Sequence, residues 1–329
     1  MPKPVKVLSI DGGGIRGLIP AMVLAEIEKR TGKRIAQLFD LIAGTSTGGI
    51  LALGLTKPGA GGKPRWTAEQ GVELYREQGG KIFDRSVWHR IRSLGNLAEE
   101  KYPAGPIEEV LQEFFGNTRL SEALKDVIVT SYEIERRIPF FFKSRYASDP
   151  AKKADYDFPM WQVARATSAA PTYFEPFKID TNKQADYWAL IDGGVFANNP
   201  AMCAYAEAKA TRKDAQDFLV VSLGTGELTR PLPYDQATGW GLALWAQPIL
   251  SVMFDGVSDT VDYQLQQMLP TLDDGKPRYY RFQVRLDEGS DDMDDASRTN
   301  LRVLQLIAED MIQKRNADLS DLCARLTAA

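Results

Sequence analysis

Short apolar runs alternate with helical apolar patterns along this chain of 329 residues. The apolar runs are bounded by turn-forming residues and predict strands over residues 5–10, 39–43, 127–132, 139–143, 187–191, 218–223 and 279–284. Apolar residues that recur at helical spacing predict helices over residues 18–30, 50–55, 67–83, 106–115, 159–170, 201–210 and 301–314. The pattern therefore alternates between the two kinds of element for most of the length.

This alternation predicts an α/β fold with a largely parallel sheet that is covered by helices on both faces. The sequence contains no internal repeat and no long polar linker. We therefore expect a single domain over residues 1–329. Its core should span about residues 5–226, with the helical and strand elements of about residues 236–329 packed on it.

Composition and charge exclude several classes of protein. The apolar fraction of 44% and the charged fraction of 26% are ordinary for a globular chain, and the net charge of −4 does not favour nucleic acid. The first apolar run is shorter than that of a signal peptide, and no run approaches the ~20 residues of a membrane span. Two distant cysteines, Cys203 and Cys323, suggest no disulfide framework. We expect a cytoplasmic protein.

A Gly-x-Ser-x-Gly pattern at residues 44–48 marks Ser46 as a candidate nucleophile. Gly44 and Gly48 would allow the sharp turn between a strand and a helix that such a serine requires. The chain has only one histidine, His89, in an Arg-rich stretch with no other mark of a catalytic site. If Ser46 is a nucleophile, we expect its base not to be histidine. The alternative is a glycine-rich turn in which Ser46 only caps a helix.

A glycine loop, Asp11-Gly12-Gly13-Gly14-Ile15-Arg16-Gly17, follows the first predicted strand. Its Gly-x-Gly-x-x-Gly spacing matches the dinucleotide-binding fingerprint, which needs an acid at the end of the next strand. The nearest acid, Asp40, lies near the start of that strand. The other interpretation is an oxyanion hole, in which the N–H groups face the charge of a tetrahedral intermediate. The glycines alone do not decide between the two.

Asp192 is the third candidate, since it ends an apolar run and is followed by Gly193 and Gly194. An Asp-Gly pair can simply form a turn. However, the carboxyl ends of strands in an open α/β sheet meet at one edge, where ligands bind. A nucleophile, a donor loop and an acid at three such ends can therefore share one site.

Taken together, these motifs resemble the patatin family of lipid acyl hydrolases. The resemblance rests on residues 11–17, 44–49 and 192–194, and it continues through Ala-Thr-Ser-Ala-Ala-Pro-Thr-Tyr-Phe at 166–174, Ser-Leu-Gly-Thr-Gly at 222–226 and Met-Asp-Asp-Ala-Ser at 293–297. It covers nearly the whole chain. The family implies a three-layer α/β/α sandwich, related to the catalytic domains of cytosolic phospholipase A2, with a Ser-Asp dyad.

Carried over residue by residue, the resemblance makes Ser46 the nucleophile and Asp192 the base. The N–H groups of Gly12, Gly13, Gly14 and Thr47 would form the oxyanion hole. It implies a lipid or membrane-surface ester as substrate, no cofactor and no metal. Arg16 is a candidate contact for the oxyanion or a substrate phosphate, or else a solvent-exposed arginine at a helix start.

Three further segments have two interpretations each. Residues 240–254 are strongly apolar and form either a pocket wall or a surface that dips into lipid. Residues 82–94, with Arg85, Trp88, Arg90 and Arg92, form either an interfacial patch at the inner membrane face or a solvated helix face. The acidic run Asp291, Asp292, Asp294 and Asp295 lacks the spacing of an EF-hand, and we interpret it as a solvated turn.

Three function classes stay open: a lipid acyl hydrolase, an acyltransferase of the malonyl-transferase type, and a nucleotide-binding or storage protein without catalysis. The second would need a histidine in the site, and only His89 could supply it. Labelling of Ser46 by a fluorophosphonate would separate the first two from the third.

Overall fold

The computed structural model describes residues 3–82, 103–171, 173–181, 186–229, 231–245, 248–272, 274–287 and 292–328. A central sheet of eight strands lies between two layers of helices, and an apolar core fills each of the two interfaces. Most strands of this sheet are parallel. The predicted α/β fold, with helices on both faces of the sheet, is confirmed.

The strands are β1 (Val5–Ile10), β2 (Leu41–Thr45), β3 (Asp126–Glu133), β4 (Ile138–Lys143), β5 (Phe177–Asp180), β6 (Tyr187–Asp192), β7 (Phe218–Leu223), β8 (Glu227–Leu228), β9 (Tyr279–Phe282) and β10 (Arg285–Leu286). The helices are α1 (Leu18–Thr31), α2 (Ile35–Leu38), α3 (Thr47–Thr56), α4 (Ala68–Ile82), α5 (Ala104–Phe115), α6 (Ser144–Ser148), α7 (Lys153–Tyr156), α8 (Met160–Thr167), α9 (Gly194–Ala197), α10 (Ala201–Thr211), α11 (Tyr234–Ala237), α12 (Leu242–Trp245), α13 (Pro248–Met268), α14 (Arg298–Lys314) and α15 (Asn316–Thr327).

Five parallel strands in the order β3-β2-β1-β7-β9 form one side of the sheet, with β9 at its edge. All six residues of β7 are buried, as are all five of β2, because helices cover both faces. The C-terminal part of the chain contributes β9, which pairs with β7 from Val220↔Tyr279 onward. It therefore supplies a strand of the central sheet, whereas the sequence led us to expect it as a layer packed on the core.

The other end of the sheet is antiparallel. β4 pairs with residues 128–133 along one edge of β3. The opposite edge of β3 is shared by two strands: β2 pairs with its first part, residues 126–130, and β6 pairs with its last part, residues 131–133. Thr45, the last residue of β2, lies opposite Thr130, and Asp192, the last residue of β6, lies opposite Ser131. Because β6 runs against β2, their carboxyl ends face each other. This brings Ser46 beside Asp192.

The sequence placed most elements correctly but misjudged some boundaries. β2 begins two residues later than predicted, and α3 begins at Thr47, three residues earlier, because a single residue, Ser46, makes the turn between them. The strand β5 and the helix α15 were not predicted. Part of the apolar stretch 240–254 forms the start of α13.

The acidic run forms a turn at residues 293–294, as predicted, but the prediction that it is solvated is wrong at Asp294. Asp294 is fully buried and its neighbour Met293 accepts the Ile15 N–H at 2.8 Å, because the segment packs on the glycine loop. Asp291 and the basic-aromatic patch of residues 85–92, with His89, lie outside the described residues. Within the described ranges, no helix has both the length and the apolar character that a membrane crossing requires.

Candidate active site

The turn from β2 to α3 holds Ser46 in an unusual backbone conformation, with φ 54° and ψ −124°. A side chain other than glycine is strained at positive φ, and such strain is typical of functional sites. The Ser46 N–H donates to Thr167 Oγ1 at 2.8 Å, and the Ser46 carbonyl accepts from the Ile50 N–H at 3.1 Å. The strand–turn–helix context that a nucleophile requires is present.

Gly44 and Gly48 lie where another backbone segment passes so close that a side chain would not fit. A Cβ on Gly44 would lie 2.1 Å from the Gly48 carbonyl oxygen, and a Cβ on Gly48 would lie 2.2 Å from the Ile10 carbonyl oxygen. Real Cβ atoms do not come that close to a backbone atom. The two glycines therefore allow β2, α3 and the end of β1 to meet at Ser46.

Asp192 lies beside Ser46 and is only 3% exposed. The Ser46 side chain lies against the Asp192 carboxyl group and lowers its pKa, and the Gly194 N–H donates to Asp192 Oδ1 at 2.7 Å. Burial raises the pKa of Asp192 to about 7, and the Ser46 side chain and the Gly194 N–H act in the opposite direction. Gly193 packs on Thr130, which fixes the turn after the acid.

The glycine loop has two N–H groups beside the cavity for which the described residues supply no acceptor. In the described part of the chain, neither Gly13 nor Gly14 donates its N–H to a protein acceptor, and both residues line a cavity with Ser46. Thr47 also lines it and is the first residue of α3, so its N–H has no partner within the helix. Gly12 differs from the prediction, because its N–H donates to the Asn198 carbonyl oxygen at 3.0 Å.

Arg16 does not take the place that the sequence suggested. Its side chain is buried, its Nε lies 3.4 Å from the Gly13 carbonyl oxygen, and its charge acts on Asp255. It is not among the described residues that line the cavity. Arg16 is therefore not a solvated arginine, and its contact with the Gly13 carbonyl oxygen supports the glycine loop from within.

The cavity beside Ser46 is largely apolar. Gly13, Gly14, Thr47 and Asp192 supply its polar end, and aliphatic and aromatic side chains supply most of the rest: Ile50, Leu74, Ile107, Val110, Leu111, Phe114, Phe174 and Phe254. No histidine occurs among the described residues in its wall. Such a wall suits a hydrocarbon chain next to one reactive polar group.

The dinucleotide interpretation finds no support in this geometry. Asp40, the nearest acid, accepts the backbone N–H of Lys6 at 2.8 Å and so belongs to the start of the sheet. The described residues that line the cavity offer no acid apart from Asp192. The ribose contact of a bound dinucleotide would therefore lack its usual acceptor.

Three residues near the site were missed as individual candidates. The Thr167 hydroxyl accepts the Ser46 N–H, and the Asn198 carbonyl oxygen accepts the Gly12 N–H. The Thr225 hydroxyl donates to the Gly12 carbonyl oxygen at 2.7 Å. Thr167 and Thr225 lie in segments that carry the family resemblance, at 166–174 and 222–226. That resemblance was the only signal in the sequence that could have pointed to them.

Comparison with known proteins agrees with these motifs. The family model described as patatin-like phospholipase matches residues 8–205. The chain is 33% identical to "Patatin-like protein 4" of Arabidopsis thaliana, over 94% of this chain and 83% of the relative. It is also 33% identical to "Probable inactive patatin-3-Kuras 1" of Solanum tuberosum, over 94% of this chain and 87% of the relative.

Among solved structures, the type III effector protein ExoU aligns with a TM-score of 0.39 at 12% identity. The alignment covers 99% of this chain and 54% of the effector. One of these relatives is named as inactive. Catalysis by this chain is therefore argued from the geometry around Ser46.

Proposed function

Because the chain belongs to the patatin-like phospholipase family, we propose that it is a serine hydrolase that cleaves fatty-acyl esters of phospholipids or other lipids through a Ser46–Asp192 dyad. The observation that carries this proposal is the contact between the Ser46 side chain and a buried Asp192 in the wall of a largely apolar cavity. An acyl chain would lie along the apolar wall and place its ester carbonyl at Ser46.

The reaction follows from the position of these groups. Ser46 Oγ attacks the ester carbonyl carbon while Asp192 takes the hydroxyl proton. The N–H groups of Gly13, Gly14 and Thr47 stabilise the oxyanion. The tetrahedral intermediate collapses, and the leaving alcohol takes the proton from Asp192. Water then attacks the acyl-enzyme with Asp192 as the base, which releases the fatty acid and restores Ser46.

The pKa of about 7 makes Asp192 a better base than an exposed aspartate. A carboxylate in water has a pKa near 3.9, whereas a general base works best when its pKa is close to the operating pH. Burial of Asp192 therefore supplies part of what a histidine supplies in a Ser-His-Asp triad. This supports a dyad in a chain whose only histidine is His89.

A fluorophosphonate probe tests the proposal directly. We expect the wild type to be labelled at Ser46 and to release fatty acid from a panel of glycerophospholipids, with the products reporting headgroup and sn preference. Ser46→Ala should be neither labelled nor active. An unlabelled and inactive wild type, folded by circular dichroism, would instead favour a storage or binding role.

Acyl transfer is the second candidate, and the same acyl-enzyme would serve it. The malonyl-transferase type needs a histidine in the site, and none occurs among the described residues that line the cavity. Incubation with an acyl donor and an alcohol or thiol acceptor would detect transfer. Free fatty acid as the dominant product would support hydrolysis.

Peripheral membrane contact is part of this proposal and is supported by an exposed apolar surface on α13. Ile249, Val252 and Met253 are 41%, 46% and 41% exposed in its first two turns, and the adjacent Phe254 lines the cavity. Beyond Gly256, the outward positions include Asp259 and Thr260. The exposed face is therefore apolar where α13 borders the cavity, as a surface that enters lipid would be.

Val252→Asp should lower hydrolysis of phospholipid in vesicles and leave a soluble short-chain ester unaffected. Met268→Asp is the matched control, because Met268 is 49% exposed at the far end of the same helix. Equal losses in the two variants would contradict contact through the first turns of α13. The cytoplasmic location stays a prediction.

A further inference from the structure

The backbone N–H and carbonyl groups at the start of the glycine loop form hydrogen bonds with residues that are distant in sequence. The Asp11 N–H donates to the Leu223 carbonyl oxygen at 3.0 Å, and the Gly12 N–H donates to the Asn198 carbonyl oxygen at 3.0 Å. The Gly12 carbonyl oxygen accepts from the Thr225 hydroxyl at 2.7 Å. These bonds orient the peptide groups that lead into Gly13.

We propose that Thr225 is a positioning residue that directs the Gly13 N–H toward the oxyanion. The Gly12 carbonyl and the Gly13 N–H belong to one planar peptide group, and in a trans peptide they point in opposite directions. A donor that holds the carbonyl on one side therefore turns the N–H to the other side, where Gly13 lines the cavity with Ser46. This inference rests on the proposed function, since it presupposes an oxyanion at Ser46.

Thr225 is itself held firmly. Its side chain is 3% exposed and packs against Gly13, where an added Cβ would lie 2.3 Å from Thr225 Oγ1. The flanking Gly224 N–H donates to the Phe282 carbonyl oxygen at 2.8 Å, and the Gly226 N–H donates to Gln283 Oε1 at 2.9 Å. A threonine hydroxyl has a single proton to donate, and here the Gly12 carbonyl receives it.

Gly14 provides an internal comparison. The Gly13 carbonyl oxygen accepts from the Arg16 N–H at 3.2 Å, so the peptide group that carries the Gly14 N–H is oriented within the loop itself. The peptide group that carries the Gly13 N–H depends instead on Thr225, which lies outside the residues 8–205 that match the family model. Loss of the Thr225 hydroxyl should therefore misdirect one oxyanion donor and spare the other.

Three variants test this assignment on a soluble p-nitrophenyl ester. Thr225→Val removes the hydroxyl at nearly constant shape, and Thr225→Ser restores it. Thr229→Val is the matched control, because the Thr229 hydroxyl also donates to a backbone carbonyl, that of Leu286 at 3.1 Å, four residues farther along. Deleting one oxyanion donor costs about 100- to 1000-fold in kcat, so a misdirected donor in Thr225→Val should cost about 10- to 100-fold.

A merely structural role would give a different set of results. We expect KM to change little in Thr225→Val, and the affinity for a trifluoromethyl ketone, whose adduct with Ser46 carries an oxyanion, to fall in parallel with kcat/KM. Thr225→Ser and Thr229→Val should stay close to the wild type. If Thr225→Val does not fold in thermal unfolding, Thr225→Ala removes the hydroxyl with less crowding.

Two outcomes would overturn the assignment. The first is a folded Thr225→Val, or its Ala substitute, with wild-type kcat and ketone affinity. The second is a Thr225→Ser as impaired as Thr225→Val, since the hydroxyl would then not be the active feature. A wild type that is labelled at Ser46 and active keeps the proposed function in either case. An inactive, unlabelled wild type would refute both proposals.

Discussion

The nucleophile turn and the glycine loop lie at the carboxyl ends of neighbouring strands, yet they are stabilised in different ways. The turn closes through nearby glycines, because Gly44 and Gly48 allow the backbone to fold around Ser46, and the one remote backbone hydrogen bond of Ser46 among the described residues is from its N–H to Thr167. The loop depends on remote residues, and its bond to Thr225 joins positions 213 residues apart. Local chemistry therefore shapes the turn at the proposed nucleophile, whereas the tertiary structure holds the loop that carries the proposed oxyanion donors.

This difference has a functional consequence. A substitution far from the loop in sequence, at Thr225 or in the segment around Met293, can alter the donors without touching Ser46. The C-terminal part of the chain, which supplies both contacts as well as β9, would then be required for catalysis. We accordingly propose that residues 1–329 act as one domain.

The largest expected effect concerns the dyad itself. Ser46→Ala and Asp192→Asn should each lower ester hydrolysis by at least about 10³-fold, because nucleophile and base act as a unit and no described residue in the cavity wall is a histidine. Activity on a p-nitrophenyl ester, with circular dichroism as the control for folding, measures this. Near-normal turnover by either folded variant would contradict the assignment of Ser46 and Asp192 as a catalytic dyad.

A pair of glycine variants separates the local turn from the remote loop. Gly48→Ala would bring a Cβ to 2.2 Å from the backbone oxygen of Ile10, so we expect loss of both thermal stability and activity. Gly13→Ala would bring a Cβ to 2.6 Å from the Thr225 Cβ, a side-chain atom rather than a backbone atom, so Thr225 has to shift and we expect a smaller loss of stability than in Gly48→Ala. Its kcat should nevertheless fall about 100-fold, since one donor is displaced.

Thermal unfolding and kcat of the two variants provide the measurement. Equal destabilisation by Gly13→Ala and Gly48→Ala would contradict the distinction between a turn held by backbone contacts and a loop held by a side chain. A Gly13→Ala/Thr225→Val double variant should be no slower than the slower single variant, since both changes disturb the same peptide group.

The smallest effect is the pH dependence. Asp192 must be ionised to act as the base, and burial raises its pKa to about 7, so kcat/KM should rise with pH through this region and level off above it. Below the pKa, activity should fall about tenfold for each pH unit, because only the ionised fraction reacts. The pH profile of a soluble ester measures this limb.

His89→Ala is the control for that profile, since imidazole titrates in the same range. The variant should keep the rise of kcat/KM near pH 7 and most of the activity on the soluble ester. If the limb disappears or activity is abolished in a folded His89→Ala protein, the base is a histidine and Asp192 has another role.

The sequence predicted the strands and helices around Ser46 because their apolar residues follow regular periods. It placed the start of α3 too late, since an apolar pattern cannot show where a one-residue turn begins. It also anticipated that Asp192 would reach Ser46, but for an incomplete reason. The two meet because β6 runs antiparallel and approaches the end of β2 head-on, and strand direction has no local signal.

Errors about single residues have a common cause. Asp294 and Arg16 are charged, and charged residues are usually exposed, but both are buried here by segments that are distant in sequence. Gly12 was included among the oxyanion donors because it is a glycine, whereas its N–H is already bonded to Asn198. Partners of this kind are set by packing and cannot be deduced from composition or spacing.

By itself, the sequence determined the fold class and the sharp turn at Ser46, and it led us to expect a base other than histidine, because periodicity, small residues and a single histidine are local or compositional facts. The tertiary structure alone decided which N–H groups face the cavity, how far burial raises the pKa of Asp192, and which remote hydroxyl orients the loop. Hydrogen-bond direction and desolvation arise only when distant segments pack together, and no linear pattern contains them.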